Sequence, residues 1–105
     1  MNALPPRDKE GYLRDLDTWT PTVAEALAAR EDIHLSEAHW EVMELLQAFY
    51  ARHKLAPNNR ALVKAVGTEL GPDKGRSLHL MLLFGGSFAK TAARIAGLPR
   101  PTHCL

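Results

Sequence analysis

Cysteine is almost absent from this chain: among 105 residues there is one, Cys104, and it is the second-to-last residue. A single cysteine excludes an internal disulfide, whereas small secreted scaffolds rely on several, so the composition points to a reducing, cytoplasmic setting. Long apolar runs are also missing. The most apolar stretch, Leu78 to Phe84, is interrupted by His79 and is far too short to span a bilayer. Met1 to Asp8 holds no basic segment followed by an apolar one, so no signal peptide is expected. Neither sign of charge dominates: 13 Lys and Arg against 12 Asp and Glu leave a net charge of +1, which gives no global attraction to nucleic acid. The five histidines (34, 39, 53, 79 and 103) never fall at the i, i+4 spacing of a helical zinc pair, and one cysteine cannot build a structural zinc site. No metal site is expected. Repeats, low-complexity tracts and linkers are absent, and the length suits one domain over residues 1–105.

What is present reads as mainly α: a compact bundle of about five helices joined by short loops. Residues 1–19 read as an irregular segment or short β-hairpin. Asp8-Lys9-Glu10-Gly11 is turn chemistry, Tyr12, Leu13, Leu16 and Trp19 are apolar anchors, and Pro5-Pro6 would deny donors to a first strand. The helical body spans 20–96. Thr20 as N-cap and Pro21 at the first position open helix one, whose Val23, Ala24, Leu27 and Ala28 share a face until about Arg30. Ser36 caps a longer helix to about His53, with an apolar stripe of Trp40, Met43, Leu45, Leu46, Phe49 and Tyr50. Arg60 to Leu70 forms a third, with Leu62, Val63, Val66 and Leu70 inward, stopped by Gly71-Pro72. A fourth starts at Asp73 or Lys74 and runs to Phe84, burying Leu78, Leu82 and Leu83. Ser87 caps a fifth to Ala96, with Phe88, Ala89, Ala92 and Ile95 inward and Gly97 at its C-terminal boundary. Residues 97–105 then form a flexible, extended arm stiffened by Pro99 and Pro101.

Few side-chain patterns suggest chemistry. Gly71-Pro72-Asp73-Lys74-Gly75 lacks the preceding strand and Gly-Lys-Ser/Thr ending of a phosphate loop, so it reads as a helix stop. His39 and Trp40 sit beside a buried stripe and read as structural. Arg52, Lys54, Arg60 and Lys64 bracket the turn between helices two and three, with Lys74 and Arg76 nearby in sequence. They read either as a solvated surface or as an anion- or partner-docking face. Cys104 stands apart, because a buried structural role would require the Pro-rich tail to tuck into the core. On an arm, its thiol can be presented to another protein, and protonated His103 beside it would favour the nucleophilic thiolate. The residues leave open whether this thiol is a working group or an incidental terminal cysteine.

The ordered motifs resemble the TusE/DsrC family of sulfur-relay proteins over nearly the whole chain. They are Gly11-Tyr12-Leu13, Trp19, Leu35-Ser36-Glu37-Ala38-His39-Trp40, Phe49-Tyr50, Pro57-Asn58-Asn59-Arg60, Gly71-Pro72-Asp73-Lys74-Gly75 and the closing run Ala96 to Leu105. The resemblance implies a helical bundle with a small N-terminal hairpin and a flexible C-terminal arm, and it assigns sulfur carriage, as a transient persulfide, to Cys104. It implies no resident cofactor and no self-contained active site, since partners supply the acid, base and activation. DsrC-type members carry a further cysteine eleven residues before the last; here that position is Ala93. The TusE type, which lacks it, resembles this chain more closely. For that type the implied partners are a TusBCD-like sulfur-transfer complex and an MnmA-like tRNA thiouridylase forming 2-thiouridine at the wobble position, with tRNA contact indirect and no membrane partner. Arg60 and Lys64 match positions implied to dock the arm or a partner. Two other readings compete: a DsrC-like partner of dissimilatory sulfite reductase, and a nucleic-acid-binding regulatory module using the basic residues of helices two and three.

Overall fold

The computed structural model describes residues 4–102. The chain opens with a tight loop instead of a hairpin. Asp8 organises it: its carboxylate accepts from the N–H groups of Glu10 (2.9 Å) and Tyr12 (3.0 Å), and its own N–H donates to the Tyr12 carbonyl. One antiparallel bridge, Arg7 to Leu13, is all the β-pairing among the described residues. Pro5 and Pro6 have no N–H to extend the ladder, which is why the expected hairpin stops at one bridge. A single 3-10 turn, Leu16–Thr18, leads into the helical body.

Five helices follow: α1 Pro21–Ala29, α2 Glu37–His53, α3 Asn59–Leu70, α4 Ser77–Phe84 and α5 Phe88–Ile95. Thr20 caps α1 by accepting from the Val23 N–H at 3.1 Å, and Asn58 caps α3 by accepting from Ala61 at 2.9 Å. At α2, Ser36 shares the cap with His39. The Ser36 N–H donates to His39 Nδ1 (3.0 Å), so that nitrogen is the acceptor and Nε2 carries the proton that reaches the Leu83 carbonyl at 2.8 Å. His39 is buried, and its ring meets Phe84 edge-on at 5.1 Å, tying the start of α2 to the end of α4.

Two expectations about α4 are corrected. It begins at Ser77, not Asp73 or Lys74, because Gly71–Arg76 form a turn in which the N–H groups of Lys74 and Gly75 both point at the Gly71 carbonyl. Gly75 lies back to back with Gly67 of α3, and a Cβ on it would run into the Gly67 backbone. The inward residues are Leu80 and Phe84; Leu78 and Leu82 face solvent at 64% and 78% exposure, and Leu83 is partly buried. An octapeptide as apolar as Ser-Leu-His-Leu-Met-Leu-Leu-Phe gives little amphipathic signal to orient it, and the face it buries is the one that meets His39 and the core through Leu80 and Phe84.

The last helix, α5, is the hub, packing against each of the other four, with Phe88, Ala89, Thr91, Ala92, Ala93 and Ile95 buried. Ser87 makes no side-chain cap. Asn59 of α3 reaches across and accepts from the Ala89 N–H at 3.0 Å, so the first turn of α5 is capped from a different helix.

Candidate functional site

The site of interest begins where α5 ends. Gly97 takes a φ of +76°, a conformation natural to glycine, and the Trp19 side chain lies where a Cβ would stand. Trp19 Nε1 donates to the Ile95 carbonyl (2.9 Å) and Gln47 Nε2 to the Ala96 carbonyl (3.0 Å), satisfying helix-end acceptors. The chain then folds back. The Leu98 N–H donates to the Ala93 carbonyl at 2.9 Å and its side chain is buried. Ala93 itself is fully buried, so the position where the resemblance implied a second cysteine in DsrC-type members is here a methyl group in the core. Arg100 pairs with Glu10 at 3.5 Å, a half-exposed contact of little energy. Finally the Thr102 N–H donates to the Ala56 carbonyl at 3.2 Å, just before α3.

Residues 97–102 of the arm expected from Gly97 onward contact the body at Leu98, Arg100 and Thr102. The Pro-rich segment presents backbone donors and a leucine to waiting partners, which the absence of helix propensity did not reveal. Cys104 and His103 lie outside the described residues, two and one positions beyond Thr102.

Along this tied segment runs a groove of about 370 Å³, between the start of α3 and the start of α5. Its lining includes Asn58, Asn59, Arg60, Lys90, Arg100 and Thr102, with no carboxylate among the described residues. Arg60 is thus brought beside the arm. Lys64, one turn further along α3, is absent from the groove's described lining and lies in a separate trough of about 550 Å³ between α2 and α3, with Arg52 and His53. The sequence reading grouped Arg60 with Lys64 and missed Lys90 and Arg100. The available signal was Asn59, whose reach to Ala89 brings the first turns of α3 and α5 together. Lys74 leaves the basic cluster altogether, gripping Glu41 at 2.9 and 3.1 Å; that hydrogen bond raises its ammonium pKa.

A second charged constellation is structural. The Arg94 guanidinium forks onto Glu31 at 2.9 and 3.1 Å and lies over the Tyr12 ring, 5.6 Å from its centroid. The Glu31 hydrogen bond holds the Arg94 pKa above its ordinary value. The buried Tyr12 hydroxyl has no hydrogen-bond partner among the described residues, and burial pushes the phenol pKa up while Arg94 opposes the shift. Among the described residues, no three His, Cys, Asp or Glu side chains are placed to hold a metal ion, and no helix is long and apolar enough to cross a membrane.

Comparison with known proteins is consistent over nearly the whole chain. The family model described as "DsrC like protein" matches residues 4–105. "Sulfurtransferase TusE" of Sodalis glossinidius is 46% identical over 98 residues, covering 93% of this chain and 91% of that one. The solution structure of Allochromatium vinosum DsrC superposes with a TM-score of 0.85 at 45% identity, over 93% of this chain and 88% of the other. The crystal structure of the oxidized gamma-subunit of the dissimilatory sulfite reductase (DsrC) from Archaeoglobus fulgidus gives 0.82 at 38% identity, over 96% and 92%.

Proposed function

This chain belongs to the DsrC-like family, and from that membership we propose that it is a sulfur carrier which accepts a persulfide sulfur on Cys104 and relays it toward a tRNA thiouridylase. One observation carries the reading: relatives named as the sulfurtransferase TusE match the chain almost end to end, while it has one cysteine, at the penultimate position.

The chemistry needs little from the carrier. The Cys104 thiolate attacks the outer sulfur of a donor persulfide, a new S–S bond forms, the donor's S–S bond breaks, and the donor thiolate leaves with the electron pair. No net oxidation occurs. Passing the sulfur on repeats the exchange, with the recipient's thiolate as nucleophile. With Ala93 in place of a second cysteine, the chain cannot close an internal disulfide, so sulfur leaves through a partner. The groove lined by Arg60, Lys90 and Arg100 reaches Thr102, two positions before Cys104 in the sequence, and cations that met the thiol would favour its thiolate.

Intact-mass analysis after incubation with a persulfide donor tests it. The expected product is one adduct of about 32 Da, the mass of one added sulfur, absent in Cys104→Ser. An adduct that persists in the variant, or none in the native chain, defeats the proposal. The likeness to the sulfite reductase gamma-subunit supports a second reading, a DsrC-like partner of that reductase. Co-purification with the reductase and with no sulfur-transfer complex favours it.

A further inference from the structure

The trough between α2 and α3 plays no part in the arm site, and its charge is sorted along its length. Its floor is apolar, with Leu45, Ala48 and Phe49 from α2 and Ala65 from α3. α2 and α3 form an antiparallel pair joined by a short turn, so the later residues of α2 face the earlier ones of α3. One end therefore carries Arg52 and Lys64, and the other Glu44 and Glu69. Glu41, also at that second end, is already neutralised by Lys74. Glu44 and Arg52 are separated by eight residues of helix, about 12 Å or a little over two turns.

A trough between two packed helices with an apolar floor is the shape that receives a third helix by its apolar stripe. The cationic end adjoins the arm groove, since Arg60 lines that groove and Ala61 and Lys64 line the trough. A partner seated here would have its body beside Thr102, where the segment leading to Cys104 leaves the described structure. The sign of that end selects the partner. A recipient that grips tRNA needs cationic surface around its own site, which Arg52, Lys64 and the neighbouring Arg60 would repel; a sulfur donor has no such need.

We infer that this trough docks an amphipathic helix of the sulfur-donating protein, its acidic side chains over Arg52 and Lys64 and its basic ones over Glu44 and Glu69. The inference rests on the carrier reading above.

The test measures persulfide loading of the full-length chain from two sources: inorganic polysulfide, which needs no docking, and the purified sulfur-donor complex of the same organism. Arg52→Glu and Ala48→Glu alter exposed positions of the trough. Each is expected to raise the apparent KM for the carrier with the protein donor roughly tenfold, the scale of one lost interface contact. The rate at saturation and the polysulfide reaction stay unchanged. Arg52→Ala replaces either variant should its thermal midpoint fall. Failure of polysulfide to load Cys104 in the native chain defeats the carrier reading itself. An unchanged KM with the donor overturns the docking inference alone. So does a defect confined to delivery to the recipient, a shift of trough amide signals with the chain's own concentration, or their shift on adding tRNA.

Discussion

Tyr12 shows how a single buried group links fold to conditions. Its phenol pKa is raised above the ordinary 10.0, chiefly by burial. The unfolded chain therefore loses this proton first as pH climbs, and folding stability falls from about pH 10 upward, until the folded phenol also titrates. Tyr12→Phe removes the effect, so its stability relative to the native chain should grow above pH 10 in denaturant titrations. Below pH 9 the substitution should cost less than about 1 kcal/mol, because the hydroxyl it deletes has no partner to lose. A clear loss of stability at neutral pH would show that the hydroxyl is satisfied. At this scale the sequence identified Tyr12 as an anchor but not its pairing with Arg94, which is far away along the chain and carries no local signal.

Elements were most legible where a local cap or break writes them into the chain. Thr20-Pro21 and Gly97 mark boundaries that the structure reproduces. α4 was least legible, because it is apolar nearly all round and its polar contact runs to His39, more than forty residues earlier. That contact is testable. His39→Ala orphans the Ser36 N–H, removes the bond to the Leu83 carbonyl and empties the space against Phe84. It should cost about 2–3 kcal/mol, measured as a lower denaturant midpoint with unchanged slope. A loss near zero would mean that α4 is oriented by its apolar contacts alone.

For the molecule as a whole, the helical count and the terminal position of the cysteine were open to a reader of the sequence, and the course of the arm was not. Its ties run to Ala93, Glu10 and Ala56, acceptors scattered across three parts of the chain. Their strengths should differ. Leu98→Ala should destabilise the fold by about 2–3 kcal/mol, as for other buried leucines. In hydrogen exchange, the Leu98 amide should be protected to the level of global unfolding, and the Thr102 amide roughly a hundredfold or more less, through local opening. Equal protection of the two would mean that the arm and the core unfold as one.

The tie at Thr102 also bounds how far along the chain the proposed carrier residue stands from the nearest anchor on the body. Measured from Gly97, seven residues could carry Cys104 over a radius of about 24 Å; measured from Thr102, two residues allow about 7 Å. The volume within contour reach of the anchor is roughly fortyfold smaller when the anchor is Thr102, and on the proposed carrier reading the effective concentration offered to a seated partner would be larger by the same factor. On that same reading, breaking the one hydrogen bond from Thr102 to Ala56 would exchange concentration for range.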